Sequence, residues 1–192
     1  PLPDGSIDFI LTSPPYINVF NYHQNYRRSA ELLGWDLLQV ARSEIGSNRA
    51  NRGNRFLTVV QYCIDMAMAL DEMSRVLTPA GRAVLVMGHE SNVLGVPFYN
   101  AHIVSRICTA CGQFDITLTQ SRIFTNRFGK KIREDILNLS NLERQTTLNI
   151  EIPRKIALDA LIDNLARLDA KNLSLLRAAI RKASTIEGTP TM

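Results

Sequence analysis

An apolar run that ends at two consecutive prolines constrains the fold of this chain most. The run, Ile7–Thr12, is rich in isoleucine, phenylalanine and leucine, and Ser13-Pro14-Pro15-Tyr16 follows it directly. A short run of this kind is typical of a buried strand in a parallel sheet, and the prolines end the strand because they lack an N–H group. Ligands collect beyond the carboxyl ends of such strands, so this tetrapeptide is the first candidate for a functional site.

The residue types of this tetrapeptide, called the proline corner below, favour one kind of contact. Pro14 and Pro15 offer backbone carbonyl acceptors at a fixed φ, while Ser13 adds a hydroxyl and Tyr16 an aromatic ring. Such a corner can accept hydrogen bonds from an exocyclic amino group while Tyr16 lies against the ring that carries the amine. A strand that ends in a kink with a packed tyrosine is the alternative reading.

The sequence around the proline corner resembles one enzyme family, the DNA methyltransferases that methylate exocyclic amino groups with S-adenosylmethionine. The similar segments are Thr12-Ser13-Pro14-Pro15-Tyr16-Ile17-Asn18, Asn21-Tyr22, Tyr26-Arg27 and Leu33-Gly34-Trp35. The first of them resembles motif IV of these enzymes. The resemblance covers roughly residues 2–139 and corresponds to the catalytic half of such an enzyme.

The resemblance implies a mechanism for the proline corner. The target nucleotide is flipped out of the duplex and its base stacks on Tyr16. The amine then donates hydrogen bonds to the Ser13 hydroxyl and the Pro14 carbonyl, which aims its lone pair at the methyl donor without a covalent intermediate. The catalytic residues would be Ser13, Pro14, Pro15 and Tyr16. Serine in the first position leans toward N4 of cytosine, and N6 of adenine stays open.

Two other classes of function remain open. Enzymes that methylate RNA guanine or protein glutamine also use a Pro-Pro-Tyr corner, but an asparagine usually precedes the prolines, and Ser13 counts against them. A non-catalytic DNA-binding or assembly subunit, or a decayed relative of the methylases, is the other alternative.

Composition permits a nucleic-acid partner. The 192 residues are 45% hydrophobic and 21% charged, which fits one globular domain with a substantial core. Lys and Arg outnumber Asp and Glu by 22 to 18, and the net charge of +4 is a mild bias toward polyanions. Three cysteines fit a reducing compartment. No apolar stretch approaches the roughly 20 residues that span a bilayer, and no secretory leader opens the chain, so we expect a cytoplasmic protein without a membrane contact.

The order of predicted elements indicates an α/β fold. Residues 56–77 have apolar residues at helical spacing, and residues 82–88 form a second apolar strand after a turn with proline and glycine. Strand, helix and strand then make a parallel unit. A further helix is predicted for residues 97–112, and an antiparallel hairpin for residues 114–124 and 132–139. With the resemblance, this is a partial class I methyltransferase (Rossmann-like) sheet with a C-terminal hairpin.

The end of the chain is predicted to be a helical tail. Residues 1–141 would form the catalytic half, and residues 142–192 a linker followed by two amphipathic helices within residues 153–184. These helices would pack as a hairpin on the domain or on a second copy, as in a homodimer.

Two basic segments are candidates for contacts with double-stranded DNA. Residues 41–55, called the arginine segment below, have few apolar anchors and predict a mobile surface loop. Residues 125–131, which connect the two hairpin strands and are called the basic turn below, are also rich in positive charge. A solvated surface is the alternative for both. The candidate DNA-binding residues are Arg42, Arg49, Arg52, Arg55, Arg127, Lys130 and Lys131.

One expected feature of a methyltransferase is missing from the sequence. No apolar strand is followed by a glycine-rich turn, so cofactor-binding residues cannot be named. The chain could be a fragment, a split enzyme whose cofactor-binding half is a separate chain, or a decayed relative. We expect the chain alone to bind S-adenosylmethionine poorly or not at all.

Three further residues have side chains suited to metal binding or catalysis, but a structural role is the preferred interpretation for each. Cys108 and Cys111 form a Cys-x-x-Cys pair without a second pair, which favours buried cysteines on a helix over a zinc or redox site. His89 follows the second strand, where a structural histidine is the preferred interpretation. No metal site is predicted.

Overall fold

The computed structural model describes residues 2–17, 22–46, 51, 53–143 and 147–190 of the chain. Within these ranges the strands are β1 (Ile7–Thr12), β2 (Leu77–Gly88), β3 (Glu90–Val93), β4 (Val96–Tyr99), β5 (Phe114–Thr125) and β6 (Lys131–Asn141). The α-helices are α1 (Tyr22–Asn25), α2 (Arg27–Leu32), α3 (Leu37–Ser43), α4 (Leu57–Val76), α5 (Asn100–Cys111), α6 (Glu151–Ile162) and α7 (Ala170–Lys182).

Four of the strands form one mixed sheet in the order β1-β2-β6-β5. Strands β1 and β2 are parallel, with Ile10 paired to Ala83 and Thr12 to Leu85. Strand β6 is antiparallel to both β2 and β5. The chain is therefore an α/β protein, as its sequence predicts, with the hairpin of β5 and β6 at one side of the sheet.

Three parts of the chain meet at the carboxyl edge of β1 and β2. Helix α4 ends at Val76, beside the start of β2, and its 20 residues extend for about 30 Å. The helix therefore begins near the end at which β2 finishes. Strand β6 runs antiparallel to β2 with Glu134 paired to Gly88, so the turn that precedes Lys131 extends beyond this same edge. The proline corner, the start of α4 and the basic turn therefore share one end of the molecule.

The hydrophobic core lies on one face of the sheet, under α4, α5 and α6. Leu85 and Leu137 supply its sheet side, and α4 is buried along most of its length. The C-terminal helices pack into the same core, since Ile156 on α6 and Leu176 on α7 are buried. The division of the chain at residue 141 stays a prediction. Among the described residues, no helix combines the length and the hydropathy needed to cross a membrane.

The other face of the sheet, called the open sheet face below, carries apolar side chains that are largely exposed. Leu11, Val84, Asn138 and Leu118 lie in one row across the four strands. Leu11 and Leu118, at the two ends of this row, are 66% and 50% exposed, and Phe9 on β1 is 55% exposed. The prediction of a buried strand is therefore wrong for β1, which has no fully buried residue because one of its faces lies on the open sheet face. In the described part of the chain, β1 also has a neighbouring strand, β2, on one side only.

The predicted helix of residues 97–112 is wrong at its start. The structure has an antiparallel hairpin of β3 and β4 here, and α5 begins only at Asn100. The hairpin turns at Leu94 and Gly95, which both have positive φ (52° and 88°), the backbone that a two-residue turn requires. Pro97 lies in the short strand β4 rather than at a helix start. The predicted end is confirmed, because Gly112 follows α5 in the left-handed conformation (φ 68°).

Other predicted elements are confirmed with small changes of boundary. The long helix, the β5–β6 hairpin and the two C-terminal helices are present. Strand β2 begins at Leu77 rather than Arg82, because residues 78–81, for which the sequence predicts a turn, are part of the strand. Ile7 pairs with Leu77 but Phe9 pairs with Arg82, so the register shifts between these two pairs.

Candidate functional site

The proline corner lies at the carboxyl end of β1, where the sequence predicts it. Ser13 is exposed, Pro14 is buried, and Pro15 and Tyr16 are partly buried. The Ser13 Oγ atom lies 3.1 Å from the Tyr16 Oη atom, within hydrogen-bond distance. The four residues therefore form one unit with a hydroxyl pair on its surface.

The Tyr16 ring packs against the end of the neighbouring strand. A Cβ atom at Gly88 would lie 2.9 Å from Tyr16 Cε2 and 3.2 Å from Cδ2, closer than ordinary van der Waals contact. Glycine at this position therefore makes room for the ring. Ile17, directly after Tyr16, is fully buried in the core and ties the corner to the body of the protein.

One buried asparagine joins the proline corner to the end of β2. Asn100 Oδ1 accepts hydrogen bonds from Ile17 N (3.4 Å) and Ser91 Oγ (3.1 Å), and Asn100 Nδ2 donates to the Gly88 carbonyl (2.8 Å). Sequence reasoning missed this residue, because an asparagine at the start of a helix carries no signal of such contacts.

Two further tyrosines lie near the corner. Burial raises the pKa of Tyr22, and the neighbouring Tyr16, Tyr26 and Glu44 raise this pKa further. Burial also raises the pKa of Tyr62 well above its ordinary value, with smaller contributions from Cys63, Tyr16 and Tyr22. These phenols therefore stay protonated at neutral pH. The buried Tyr62 hydroxyl makes no hydrogen bond within the described part of the chain.

Hydrogen bonds between His23 and Glu44 hold the helix that follows the proline corner. His23 Nδ1 on α1 lies 3.0 Å from Glu44 Oε2, at the end of α3, and the His23 backbone N–H donates to the other carboxylate oxygen. Both side chains are nearly buried. Glu44, the one acidic residue of the arginine segment, thus fixes this segment to α1.

The arginine segment is anchored by polar groups in its described part. Gly46 N donates to Asp65 Oδ2 (2.7 Å), and Asn51 Nδ2 donates to Gln61 Oε1 (2.7 Å). The predicted loop with few apolar anchors is wrong for residues 41–46, because residues 41–43 belong to α3, Ala41 is fully buried and Ile45 packs against the core. The mobility of the segment stays a prediction. Exposed Arg42 lies in the last turn of α3 and exposed Arg55 shortly before α4. The predicted Arg49 and Arg52 lie outside the described residues.

The Asp65 carboxylate, which anchors the arginine segment, also accepts hydrogen bonds from Thr189. Thr189 N donates to Asp65 Oδ1 (2.6 Å) and Thr189 Oγ1 donates to Asp65 Oδ2 (2.6 Å). Burial raises the pKa of Asp65, although the hydrogen bonds from Thr189 and Gly46 oppose this rise. Sequence reasoning missed both residues, which are 124 positions apart.

The basic turn presents its three predicted residues together. Arg127, Lys130 and Lys131 are all exposed. Asn126 Oδ1 accepts from the backbone N–H groups of residues 128 and 130, both at 3.0 Å, which fixes the turn. The Arg127 guanidinium lies 4.7 Å from the centre of the exposed Phe128 ring. The turn lies several residues before Glu134, which pairs with the last residue of β2, so it projects about 15 Å beyond the end of β2.

His89 belongs to a second polar cluster beside the end of β2. His89 Nδ1 lies 2.6 Å from Asp135 Oδ2, and Ser121 Oγ donates to Asp135 Oδ1 at 2.5 Å. Burial acts to raise the pKa of Asp135, but the hydrogen bonds from Ser121 and His89 outweigh it and lower this pKa. The carboxylate stands between the hydroxyl and the imidazole, so the histidine does not activate the serine. A structural role of His89 accounts for these contacts.

The cysteine pair lies on α5 and near its end. Burial raises the pKa of Cys108 to about 12 and that of Cys111 to about 11. Both thiols are therefore protonated at neutral pH, and neither is a ready metal ligand or nucleophile. The described residues contain no cluster of three side chains that could hold a metal ion.

The described residues do not fit a bound S-adenosylmethionine. Gly88, the one glycine at the described carboxyl ends of β1 and β2, is covered by the Tyr16 ring. Backbone N–H groups at a glycine-rich turn, which cradle such cofactors, are therefore not offered there. What the described part offers at this end of the sheet is the hydroxyl pair of Ser13 and Tyr16 and the exposed cations of the basic turn.

Comparisons with known proteins give a distant likeness. No family model and no curated protein matches the chain. Two crystal structures of a protein from Thermus thermophilus, provisionally described as a DNA modification methylase, match with 16% and 18% sequence identity and TM-scores of 0.37 and 0.38. The matches cover 88% of this chain but 55% and 56% of those chains, so this chain spans about half their length. A likeness at this level does not assign a function.

Proposed function

We propose that this chain is the base-binding and catalytic part of a DNA methyltransferase that modifies an exocyclic amino group. The substrate would be N4 of cytosine or N6 of adenine, in a base flipped out of double-stranded DNA. The observation that carries the proposal is the proline corner. It sets the exposed Ser13 hydroxyl beside Tyr16 at the carboxyl end of β1 and on the same edge as the basic turn.

Ser13 and Tyr16 have complementary parts in this reaction. The lone pair of an aromatic amine is conjugated with its ring, so the amine is a poor nucleophile. Two acceptors, Ser13 Oγ and the Pro14 carbonyl, would bind its two N–H groups and favour a tetrahedral nitrogen with a free lone pair. When Tyr16 Oη donates to Ser13 Oγ, the hydroxyl is held in place and keeps a lone pair for the amine.

The Tyr16 ring would hold the base while Ser13 holds its amine. Stacking of a base on an aromatic ring contributes about 1–3 kcal/mol, which helps to offset the few kcal/mol needed to extrude it. Gly88 lies against the Cδ2 and Cε2 atoms of the ring and leaves room for it. Base and amine would thus be oriented by residues of two neighbouring strand ends.

The exposed cations at the same edge would bind the DNA backbone. Arg127, Lys130 and Lys131 on the projecting basic turn suit phosphates, and exposed Arg55 lies two residues before α4 at the same end. Exposed Arg42, in the last turn of α3, would add to this positive surface. From their place in the sequence, Arg49 and Arg52 belong to the same proposal. These contacts would position the duplex without reading its sequence.

The methyl donor, S-adenosylmethionine, would be held by a cofactor-binding half outside the described residues. The open sheet face and the unpaired edge of β1 support this, because both are suited to a further strand and an apolar layer. Together they would complete a class I, Rossmann-like sheet. That half would be a separate chain or part of a longer one. Calorimetry with this chain alone should detect little or no binding, and micromolar affinity would contradict this arrangement.

A homodimer through the C-terminal helices is the other partner predicted from the sequence. Leu176 and Ala179 of α7 already pack in the core of their own chain. A dimer would therefore have to use the outward sides of these helices.

A non-catalytic DNA-binding or assembly subunit is the second candidate, favoured by the lack of a cofactor cradle among the described residues. Substitutions of Tyr16 separate the two in the complete enzyme. Tyr16→Ala should lose methyl transfer while Tyr16→Phe, which keeps the ring, retains part of it, and both should bind DNA and stay folded. Equal activity of all three proteins would reject the catalytic role.

A further inference from the structure

We propose that Asn100 is a positioning residue for the proline corner. Its side-chain amide joins the backbone of Ile17 to that of Gly88 and so fixes the Tyr16 ring. The effect on methyl transfer rests on the proposed function, but the effect on the position of Tyr16 does not.

The contacts of Asn100 determine the orientation of its amide. The Ile17 backbone N–H can only donate, and the Gly88 carbonyl can only accept. Oδ1 must therefore face Ile17 and Nδ2 must face Gly88, while the Ser91 hydroxyl donates to Oδ1. Every partner is satisfied in this one orientation. A carboxylate or an apolar side chain of the same size would lose at least one of the bonds.

The two main-chain groups that Asn100 binds both adjoin Tyr16. Ile17 is the next residue in the chain and is fully buried. Gly88 is the residue against which the ring packs, since a Cβ atom placed on Gly88 would lie 2.9 Å from Tyr16 Cε2. A single side chain therefore holds both the backbone that carries the ring and the surface beneath it.

The fold of α5 alone does not explain this asparagine. Asn100 is the first residue of the helix, and its side chain does not cap the helix, because it binds residues of other segments. Its backbone N–H donates to the His89 carbonyl. Asn100 is fully buried, and burying an amide group costs free energy unless the group forms hydrogen bonds. Here they are used on the proline corner and the end of β2.

A ring-current measurement tests the positioning directly in the 192-residue chain. The Tyr16 ring should shift the Gly88 Hα resonances away from their usual region, and Tyr16→Ala should abolish this shift and so identify it. Asn100→Leu keeps about the same size but removes both the donor to the Gly88 carbonyl and the acceptor for Ile17 N. It should remove most of the Gly88 shift.

Asn141 offers a matched control at the opposite edge of the sheet. It is also buried, and its Nδ2 lies within hydrogen-bond distance of the carbonyls of Ser74, Leu77 and Thr78. Asn141→Leu should lower the melting temperature as Asn100→Leu does, yet leave the Gly88 shift in place. An unchanged Gly88 shift in Asn100→Leu would overturn the proposal. Should that variant not fold, Asn100→Ala is measured in the same way, with the same two outcomes.

Kinetics of the complete enzyme then separate this proposal from the proposed function. Asn100→Leu should lower kcat for methyl transfer by about a hundredfold, because a displaced base is no longer aligned. KM for DNA should stay within a small factor, since the hydrogen bonds of Asn100 involve none of the cations of the basic turn. A reduced Gly88 shift with unchanged kcat would leave the positioning role intact and reject the catalytic role of the corner. A reduction of both the shift and kcat supports both.

Discussion

The Tyr16 ring lies so close to Gly88 that a Cβ atom at residue 88 would come within 2.9 Å of Tyr16 Cε2. The backbone of Gly88 does not have the positive φ that favours glycine elsewhere in this chain. Space for the ring, rather than backbone conformation, is therefore what this position requires. The ends of β1 and β2 are matched to each other through this contact.

Gly88→Ala should displace the ring and damage the site. We expect the free energy of unfolding to fall by about 1–3 kcal/mol, as in other overpacked positions. Methyl transfer by the complete enzyme should fall by at least about tenfold. Because Tyr16→Ala also loses the packing of the ring, the double variant should lose less stability than the sum of the two single variants. Urea unfolding of the single and double variants measures this. Gly53→Ala, where the new Cβ would meet nothing within 4 Å, is the control. Additive losses in the double variant would show that the ring and the new methyl group do not clash.

Asp135 should give the protein an acid-sensitive component of stability. Its pKa is lowered in the folded state, so the ionised carboxylate stabilises the fold above the pKa of the unfolded chain. This contribution is lost as the pH falls through the folded-state pKa. Asp135→Asn should lower the free energy of unfolding by about 1–3 kcal/mol at neutral pH.

The pH dependence of that difference provides the check. The stability difference between wild type and Asp135→Asn should begin to decrease below about pH 4, where the unfolded chain starts to bind the proton. It should disappear as the pH falls through the lowered folded-state pKa of Asp135. Urea unfolding at neutral and acidic pH measures both proteins, with Asp115→Asn on the exposed side of β5 as the control. A difference that is constant with pH would exclude an electrostatic origin.

The Thr189 hydroxyl should stabilise the buried Asp65 carboxylate. Thr189→Val keeps the shape but removes the donor to Asp65 and the acceptor for Gln61 Nε2. We expect a loss of about 1–3 kcal/mol in the free energy of unfolding. Thr189→Ser, which keeps the hydroxyl, should lose much less.

This loss should also depend on pH. The pKa of Asp65 is raised in the folded state, so its ionisation costs stability as the pH rises from the unfolded-state pKa through the folded-state pKa. Removing the hydroxyl donor should increase that cost. Thr189→Val should therefore be more destabilising at neutral pH than near pH 4 in chemical denaturation. Equal losses for Thr189→Val and Thr189→Ser at every pH would contradict the role of the hydroxyl.

The basic turn should contribute to DNA affinity through phosphates alone. Replacing Lys130 and Lys131 together by glutamine should weaken binding to duplexes of any sequence. The slope of log K against log salt should decrease in magnitude by about 0.9 for each phosphate that is no longer neutralised, or about 2 in all. Fluorescence anisotropy with two unrelated duplexes at several salt concentrations measures this. Lys155→Gln, an exposed lysine on α6, is the control and should leave the slope unchanged.

Local patterns are enough to predict several elements of this fold. The apolar run before the prolines predicts β1, and helical spacing predicts α4 to within a residue at each end. The hairpin of β5 and β6 is predictable because its strands and its turn are contiguous in sequence. The hairpin of β3 and β4 is not, because its turn has leucine at one positive-φ position and Pro97 resembles a helix start.

The support of the candidate site depends on contacts that no local pattern reveals. Asn100 meets Ile17 across 83 positions, and Thr189 meets Asp65 across 124. The roles of both residues follow from which polar groups tertiary packing brings to them, namely the backbone of Ile17 and Gly88 for Asn100 and the Asp65 carboxylate for Thr189. The residues of the proline corner can be named from sequence, whereas the residues that hold it in place cannot.

Nucleoside mass spectrometry of cellular DNA tests the central claim most directly. The codon for Ser13 is replaced by an alanine codon in the native gene, and N4-methylcytosine and N6-methyladenine are quantified in hydrolysed genomic DNA. Ser184→Ala, an exposed serine after α7, is the matched control. We predict that Ser13→Ala removes one of the two modified bases at one class of sites while the control retains it. Unchanged levels of both bases in the Ser13→Ala strain, with the parent strain containing them, would contradict the proposed catalytic role.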